Sequence, residues 1–446
     1  MYKFPEGLYA DIRIEHTSSA NYSVQNGEVM QNSETSVAGA MVRVYDGSLW
    51  YTSVTNDLDS IQAELDSLAE IAEKNDAIAD DPTVKLYEVH KDKVLHFDGE
   101  NDIRRVSREE REKLVQDYIT ACIDDSIEEV RKWNAGYYHD HTVKEFYSSK
   151  GAEIVQDYQQ CAVWIVYEFM INDIPLSGGK QYQSMFFIDL PGHEEEVIAR
   201  RDKVIDFGRN AVDVTPGDYV CVLAPPVTGM FTHECFGHKS EADSMLNDKA
   251  LRDEWELGKK VGSELVSIFD SGDMFPHRGY IAYDDEGTAV TETWLIKDGV
   301  LTGRLHDAHS AAALGEELTG NSRAQDFSCS PLVRMTNTCM QAGVTPPEEL
   351  IAGVKDGIYI DNVIHGTGFS TFTMVPSLCY RIRDGKLAEP LRVNVLSGSV
   401  FQTLFDIDAV GNDLEFCDNT TCGKGGQWMP VSDAGPTIRV RSLNVN

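Results

Sequence analysis

The sequence predicts an α+β fold, in which an N-terminal domain of mixed strands and helices precedes a β-rich C-terminal domain that carries a metal-binding helix. Three observations lead to this prediction. Strand-like and helix-like stretches occur in separate blocks rather than in strict alternation. The second half of the chain is rich in glycine and in short strand patterns. One of its predicted helices holds two histidines with a glutamate between them. We expect an N-terminal domain over 1–205, open to division into two subdomains, and a C-terminal domain over 206–446.

The N-terminal elements follow from the spacing of apolar residues. Alternating residues predict strands, and apolar residues spaced by three and four predict helices. Asn56 or Asp57 is suited to begin the first helix, and Ser107, followed by Glu109 and Glu110, is suited to begin the second. In chain order we expect strands over 8–50, a helix over 56–76, a helix over 107–133, strands over 136–172, a loop over 174–180 and a helix over 192–210.

The C-terminal elements begin after a boundary near 205–215. A run of β-forming residues from Tyr219 predicts a strand directly after the Thr215-Pro-Gly-Asp turn. Two further helices are expected, over 230–268 and over 304–315. The remainder is predicted to consist of short strands joined by glycine-rich turns.

The charge excludes several classes of function. The 446 residues include 39 Lys and Arg against 73 Asp and Glu, which gives a formal net charge of −34. Binding of phosphates requires clustered basic residues, so direct contact with nucleic acid or with an anionic membrane surface is not expected. The chain also lacks an apolar run of about 18 residues, so we predict no transmembrane helix.

The termini and cysteines indicate the compartment. The N-terminal segment has acidic residues early and no apolar core, which is unlike a secretory signal. The nine cysteines are odd in number, scattered and without a CxxC pair. This usage is unlike a disulfide framework and indicates a reducing, cytoplasmic setting.

The segment with recognisable chemistry is His233-Glu-Cys-Phe-Gly-His238. Two imidazoles that hold a metal, with a carboxylate that takes a proton from water, are what a zinc hydrolase requires. The histidines are five residues apart rather than the usual four, so on a regular α-helix they would diverge. We therefore predict a widened, π-type turn over 233–238, which Gly237 would make easier.

A third ligand is needed, and spacing alone does not choose it. Cys235 is expected to point away from the metal because it lies between the histidines. Cys422 lies in a glycine-rich segment that permits close approach of the backbone, beside Lys424. The candidates by residue type are Cys235, Glu241, Glu264, His277, Glu292, Cys417 and Cys422. Glu241, Asp284 and Asp285 are candidates for orienting the imidazoles from behind.

Several motifs in the C-terminal half occur together and in a fixed order. They are His233-Glu-Cys-Phe-Gly-His238, Asp285-Glu-Gly-Thr288, Leu314-Gly, Thr319-Gly-Asn-Ser-Arg323, Arg334-Met-Thr-Asn-Thr338, Gly366-Thr-Gly-Phe369, Cys422-Gly-Lys-x-x-Gln427 and Pro436-Thr-Ile-Arg439. In this respect the chain resembles the TldD/PmbA family, which is associated with modulation of DNA gyrase and regarded as a family of metalloproteases. Before residue 205 the resemblance is only general. One departure is Arg323-Ala324, where the family more often has two arginines.

The resemblance implies a zinc-dependent peptidase with one Zn²⁺ per chain. It implies that His233 and His238 are metal ligands, that Glu234 is the catalytic general base, and that Cys422 is the third ligand. Some family members lack the His-Glu-x-x-x-His element and serve as partners in a heterodimer. Because this chain keeps the element, it resembles the catalytic type, and we expect a homodimer or a heterodimer with a family paralogue.

Two further segments are candidates for binding substrate. Arg334, Thr336 and Asn337 combine a guanidinium, a hydroxyl and an amide, which suits a peptide backbone or a terminal carboxylate. A loop held by its own hydrogen bonds would explain the same residues. Gly366 and Thr367 lie in a glycine-rich segment that lacks the pattern of a phosphate loop. Its glycines are expected to permit close approach of the backbone to the site or to form a bulge.

The sequence therefore predicts an enzyme: a cytoplasmic zinc peptidase that hydrolyses small or unfolded polypeptides. The alternative is a non-catalytic regulatory protein that acts through contacts with a protein partner, for example a toxin, an antitoxin or a topoisomerase.

Overall fold

A computed structural model describes residues 2–446 and confirms the α+β class with a β-rich C-terminal part. The strands are β1 Tyr9–Gln25, β2 Glu28–Tyr45, β3 Trp50–Thr55, β4 Lys91–Val94, β5 Val130–Ser148, β6 Glu153–Ile171, β7 Ile174–Ser184, β8 Val212–Asp213, β9 Gly217–Leu223, β10 Ile268–Ser271, β11 Glu292–Lys297, β12 Val300–Leu301, β13 Ser322–Arg323, β14 Leu332–Val333, β15 Asn337–Met340, β16 Asp356–Gly368, β17 Thr371–Arg383, β18 Lys386–Arg392, β19 Leu396–Ser399, β20 Ile407–Val410, β21 Glu415–Cys417, β22 Thr421–Lys424, β23 Gln427–Pro430, β24 Ser432–Gly435 and β25 Ile438–Val445.

The helices are mostly short in the second half of the chain. The α-helices are α1 Ile61–Ile71, α2 Pro82–Leu86, α3 Arg108–Cys122, α4 Glu194–Asn210, α5 Pro225–Thr232, α6 His238–Ser240, α7 Lys249–Glu254, α8 Ala308–Leu314, α9 Pro347–Ala352 and α10 Val400–Asp406. A π-helical turn, His233–Gly237, joins α5 to α6. None of the helices between residues 2 and 446 has both the length and the apolar character needed to cross a bilayer.

The N-terminal part is built on one sheet with the strand order β3-β2-β1-β5-β6-β4. β4 pairs with residues 153–156 of β6, and β7 pairs with residues 161–171 of the same strand. Two-residue turns at Asn26-Gly27 and Asn172-Asp173, with positive φ at each residue, form tight hairpins. The β6–β7 pair stays in register along its length, whereas the β1–β2 pair shifts register once, between Ser23 and Val24. Helices α1, α3 and α4 cover one face, because their apolar stripes pack on alternate residues of the strands.

The C-terminal part contains two larger sheets with helix α5 between them. One sheet has the order β12-β11-β10-β15-β24-β21. In the other, β16, β9, β25, β19 and β17 pair in sequence and β17 pairs again with β16, which closes the strands into a ring. Phe231 of α5 packs edge-on against Phe372 of β17, with ring centroids 5.0 Å apart, in the largest apolar core of the molecule. Helix α5 is therefore packed on both sides just before the metal-site motif, His233-Glu-Cys-Phe-Gly-His238, begins.

Buried ion pairs join the N-terminal sheet to a C-terminal turn. Lys144 of β5 donates to Asp285 at 2.9 Å and lies 3.3 Å from Glu15 of β1. Arg43 of β2 forms two 2.8 Å bonds to Asp11 and lies 4.0 Å from Glu286. Because the side chains of Lys144, Asp285, Glu15, Arg43 and Asp11 are all buried, the charge of each depends on its partner in the pair.

Three sequence predictions in these regions are wrong. The helix expected over 107–133 begins as predicted at a capping box on Ser107, but it ends at Cys122 because Val130 already pairs with Phe169 in the sheet. The loop expected over 174–180 is strand β7, since the turn lies at Asn172-Asp173 instead. The helix expected over 230–268 is broken into short pieces and ends at Glu254.

The remaining elements agree with their predictions in type. The helices expected near 56–76, 192–210 and 304–315 correspond to α1, α4 and α8, and the strand expected from Tyr219 corresponds to β9. Helix α4 runs through the predicted boundary between residues 205 and 206, and the division into two domains stays a prediction.

The buried turn at the junction predicts a specific pH dependence of stability. Burial raises the pKa of Glu286 to about 8, and the nearby Asp307 adds to the effect. The folded protein therefore keeps a proton that the unfolded chain releases, so this contribution to stability is lost as the pH rises from about 5 through 8. We expect Glu286→Gln to be more stable than the parent at pH 9, by about 1 kcal/mol or more, and to show little gain at pH 5.

Urea unfolding of both proteins at the two pH values tests this expectation. Glu28→Gln, at the exposed start of β2, is the matched control and should leave the pH dependence unchanged. An equal offset between Glu286→Gln and the parent at both pH values would contradict the assignment.

Candidate metal centre

The metal-site motif continues directly from helix α5. Pro225 and Pro226 occupy the first turn of α5, where the missing N–H groups are not needed and the fixed φ favours a helix. The backbone N–H of Ala224, just before the helix, donates to the carbonyl of Ile360 in β16 at 3.0 Å. The start of the helix is thereby tied to the closed ring of strands.

The predicted widened turn over 233–238 is confirmed. His233–Gly237 forms a π-helical turn, in which the backbone N–H of His238 donates to the carbonyl of His233. This i to i+5 hydrogen bond adds one residue to the turn, so histidines five apart face the same side. Their ring centroids lie 5.2 Å apart at an interplanar angle of 88°.

Gly237 is required for space rather than for an unusual backbone conformation. Its φ of −57° is ordinary for a helix. A Cβ atom at this position would lie 1.9 Å from the Sδ atom of Met335, which belongs to the buried core. The glycine therefore permits the widened turn to pack against Met335.

Cys422 reaches the histidines from a separate hairpin. β22 and β23 pair through a turn at Gly425-Gly426, where both residues have positive φ. The Cys422 Sγ atom lies 3.4 Å from Nε2 of His238. One ligand atom from each of His233, His238 and Cys422 lies within 4.8 Å of the other two.

Two buried arginines hold this hairpin in place. Arg334 donates from Nη2 to the carbonyl of Cys422 at 2.6 Å. Arg323 donates from Nη2 to the carbonyl of Pro430 at 2.9 Å and from Nη1 to the carbonyl of Met335. Each strand of the hairpin thus has at least one backbone carbonyl that accepts from a guanidinium.

The ring of His238 is oriented from behind by a carboxylate. Its Nδ1 atom lies 3.2 Å from Oε2 of Glu241, so Nε2 faces Cys422. Lys424 lies 3.1 Å from the same carboxylate and donates to both oxygens of Asp243 at 2.8 Å. Glu241 therefore orients the His238 ring and does not take the position of a third ligand.

The electrostatics of the cluster favour a thiolate. Burial raises the pKa of the Cys422 thiol, but hydrogen bonds and charges from His233 and His238 outweigh it and bring that pKa to about 5. Burial lowers the pKa of His238, whereas its contacts with Cys422 and Glu241 raise it to about 10. The cluster thus favours a thiolate at Cys422 with positive charge on the neighbouring His238 ring.

The donor set fits a transition metal of the zinc class. Two imidazole nitrogens and one cysteine sulfur are ligands that zinc prefers, and three protein ligands leave a position for water or substrate. Within residues 2–446, His233 Nδ1 is a buried polar atom without a hydrogen-bond partner. Unpaired buried polar atoms of this kind are expected where a site is completed by another group.

Glu234 lies on the same turn and is half-buried. Burial raises the pKa of its carboxyl, and the positive charges of His233 and His238 act against this shift. In the described part of the chain its side chain forms no hydrogen bond, so the carboxylate is not committed to a structural partner. A partly buried, uncommitted carboxylate beside the cluster is suited to accept and release a proton.

The other predicted third ligands lie away from the cluster. Cys235 is not part of the group of converging ligand atoms, and its sulfur lies against β16, where a Cβ on Gly368 would be 2.8 Å from it. Glu264 is paired with Lys260, and His277 bonds to Asp418 and stacks on Phe416. Glu292 is exposed on β11, and Cys417 lies on β21. Asp284 and Asp285 bond to the backbone and to Lys144 at the junction with the N-terminal sheet, not to the histidines.

Direct substrate contacts by Arg334, Thr336 and Asn337 are not supported by their placement. All three are completely buried. Thr336 donates to Asp270 at 2.6 Å and Asn337 donates to the carbonyl of Ser271 at 2.7 Å. Their hydrogen-bonding groups are used by the protein itself, so the alternative interpretation, a segment held by its own bonds, describes them better.

Gly366 and Thr367 lie at the end of β16 beside the metal-site turn. A Cβ on Gly366 would lie 3.2 Å from Met230, and one on Gly368 would lie 3.0 Å from the carbonyl oxygen of Glu234. The expected close approach of this backbone to the site is confirmed, and β16 also has the expected irregular register with β17.

Two functional neighbours escaped the sequence analysis. Asp243, which binds Lys424, carries no motif that distinguishes it from the many acidic residues of this chain. Asp433 of β24 packs behind α5 near Gly229, and its charge helps to raise the pKa of His233 against the effect of burial. Only the packing of distant segments brings these residues to the site.

Comparison with known proteins gives consistent matches along the chain. Residues 216–446 match the PmbA/TldA metallopeptidase C-terminal domain, and residues 10–76 match domain 1 of the same metallopeptidases. A metalloprotease of Synechocystis is 30% identical and aligns over 98% of this chain and 94% of its own length. A zinc metalloprotease TldD homologue of Saccharolobus solfataricus is 32% identical over 76% of this chain and 77% of its own.

Solved structures share the fold. A suggested DNA gyrase modulator from Thermotoga maritima superposes with a TM-score of 0.80 at 19% identity and covers 99% of this chain and 96% of its own. TldE from Thermococcus kodakarensis gives a TM-score of 0.76 at 14% identity, with coverage of 98% and 96%.

The contact between Gly237 and Met335 predicts an unusual effect of alanine. Gly to Ala inside a helix normally stabilises a protein, by about 0.5–1 kcal/mol. Here Gly237→Ala is expected to lower the free energy of unfolding by about 1–3 kcal/mol, because the new methyl group overlaps Met335.

Urea unfolding measures this effect, with Gly217→Ala in β9 as the control, since a Cβ there meets nothing closer than 3.7 Å. The double variant with Met335→Ala should be less destabilised than the sum of the single variants. Strictly additive losses would contradict the proposed overlap.

Proposed function

The chain belongs to the TldD/PmbA family of metallopeptidases, and we propose that it is itself a zinc-dependent peptidase whose metal is held by His233, His238 and Cys422. The observation that carries this proposal is the convergence of one ligand atom from each of these residues to within 4.8 Å of the others. They arrive from two segments separated by almost the whole C-terminal half, and the buried arginines and carboxylates around them maintain that approach.

The chemistry follows from the residues around the cluster. When bound, a zinc ion polarises the scissile carbonyl and lowers the pKa of water. Glu234 accepts a proton from the attacking water and delivers it to the leaving amine, which its partial burial and the neighbouring imidazoles support. Glu241 holds the His238 ring, and Lys424 holds Glu241.

The class of substrate is suggested by an open strand edge beside Glu234. In β16, residues 357–360 pair with β9 on one side, whereas residues 362–368 pair only with β17 in the part of the chain that the structure describes. The free backbone groups of this edge can bind an extended peptide as an added strand. This supports unfolded or small polypeptides as substrates and gives Gly366 and Thr367 a role through their backbone.

Association belongs to the same proposal. We expect a homodimer or a heterodimer with a family paralogue in the cytoplasm. The alternative function, regulation through protein partners without catalysis, requires neither the metal nor Glu234.

Metal loading and cleavage separate the two functions. We expect about one zinc ion per purified chain by elemental analysis and cleavage of an unstructured peptide that a chelator abolishes. Glu234→Gln should keep the metal and lose cleavage by a factor of about 100 or more. Cys422→Ser should lose most of the metal, whereas Cys329→Ser, at a half-exposed cysteine outside the cluster, should keep it.

Full cleavage by Glu234→Gln, or full metal content in a double His233→Ala, Cys422→Ser variant, would overturn the proposal. A metal-free parent without cleavage that retains a protein partner would support the regulatory alternative.

The carboxylate behind His238 predicts a weaker metal site when it is neutralised. Glu241→Gln is expected to reduce zinc affinity about 10- to 100-fold, because it no longer fixes the ring or increases its basicity. Competition with a chromophoric chelator measures this affinity. Glu264→Gln makes the same chemical change at an exposed ion pair and should bind zinc as the parent does. Equal affinities for both variants would remove Glu241 from the site.

A further inference from the structure

An arginine-lined cleft lies in the N-terminal part, on elements that the metal centre does not use. Its volume is about 450 Å³. One wall is the segment before α3 together with the first turn of that helix. The floor is the β1–β2 hairpin and β5, where Glu34, Ala20 and His139 stand opposite one another on neighbouring strands. The cleft therefore lies between a helix end and a sheet face.

The wall of the cleft concentrates positive charge in a strongly acidic protein. Arg104, Arg105, Arg108 and Arg111 all line it, in a chain with a net charge of −34. Arg104 is paired with Asp102 and Arg108 with Glu112, and neither acid lines the cleft. Across residues 2–446, no ion pair involves Arg105, which is exposed. The wall thus presents one guanidinium without an acidic partner, that of Arg105, beside three that are paired with Asp102, Glu112 and Glu34.

The protein already places one of its own carboxylates in this cleft. Arg111, whose side chain is 7% exposed, binds the carboxylate of Glu34, whose side chain is 63% exposed. The buried arginine is fixed, whereas the glutamate reaches in from the solvent side of β2. Glu34 therefore shows the chemistry that the cleft recognises and occupies the position that an external carboxylate would take.

The remaining floor residues add no competing charge. Burial and the nearby Arg111 lower the pKa of His139 to about 4, so its imidazole is neutral at physiological pH. Ser18 and Ser36 are paired across the hairpin and supply hydroxyl groups. The first turn of α3 is closed by its own capping box between Ser107 and Glu110, so the cleft depends on side chains rather than on free helix N–H groups.

We propose that this cleft binds an acidic segment of a polypeptide, with several carboxylates paired to the arginines and one of them replacing Glu34. A single small anion needs donors that converge on one point. Here the four arginines are spread over residues 104–111, from the 3₁₀ turn before α3 to the first turn of that helix. An extended chain presents carboxylates on one side about every 7 Å, so it can bring more than one carboxylate to a wall with several arginines. The site is independent of the proposed peptidase chemistry and is tested by binding alone.

The test uses fluorescence anisotropy with a fluorescein-labelled octapeptide of alternating Asp and Ser. The full-length Glu234→Gln variant serves as background, so that the probe stays intact whether or not the parent cleaves peptides. Arg105→Glu is expected to weaken binding at least about tenfold, because it reverses the charge of the wall arginine that has no ion-pair partner among residues 2–446. Glu34→Gln is expected to strengthen binding about three- to tenfold, because it removes the internal competitor from Arg111.

Arg131→Glu is the matched control, since Arg131 is also exposed and lies eight residues along β5 from His139, about 26 Å away. It should bind the probe as the background does, and a loss as large as that of Arg105→Glu would overturn the proposal. The proposal would also be overturned if the probe did not bind to the background variant, or if Glu34→Gln did not bind the probe more tightly than the background does. Full displacement of the probe by millimolar inorganic phosphate would identify a small-anion site instead.

A cleavage measurement shows whether the cleft is independent of the metal centre. Arg105→Glu in the parent chain should cleave an uncharged peptide at the parental rate. Loss of that cleavage would show that the substitution acts on the whole protein and would likewise count against a separate site.

Discussion

One backbone hydrogen bond, from the N–H of His238 to the carbonyl of His233, determines the geometry of the candidate metal centre. In a regular α-helix the carbonyl of His233 would accept from the N–H of Gly237, and the two imidazoles would diverge. The extra residue in the turn makes them neighbours, and only then does Cys422 lie close to both. The surrounding structure holds this turn on two sides: Met335 packs against Gly237, and Gly368 of β16 lies close to the backbone of Glu234.

Much of the buried polar structure of the C-terminal part acts as a frame for that turn. Arg334 and Arg323 fix the backbone carbonyls of the Cys422 hairpin, and Asn321 bonds to Asp270 and to the carbonyl of Arg334. The turn that contains Asp285 fastens the same region to the N-terminal sheet through Lys144. Motifs that look like substrate-binding elements are thus used to position the hairpin, because a metal site tolerates little displacement of its ligands.

The two proposed binding regions use opposite chemistry in one acidic molecule. At the metal centre, carboxylates, a thiolate and an open strand edge surround a position for a cation and an extended backbone. At the cleft beside α3, four arginines line the wall, and one of them, Arg105, has no ion-pair partner among residues 2–446. The net charge of −34 describes neither region, because recognition depends on which charges are paired and which remain open.

The sequence by itself determined the α+β class, the capped start of α3, the need for a widened turn and the histidines and glutamate within it, since all of these depend on residues close together in the chain. The helix over 107–133 and the loop at 174–180 were wrong because pairing of Val130 and of residues 174–184 in the sheet overrides local preference. The approach of Cys422 and the roles of Asp243, Asp433 and Arg334 were decided only by the tertiary structure. Their partners lie between 88 and 200 residues away in sequence, and spacing carries no information about contacts at that separation.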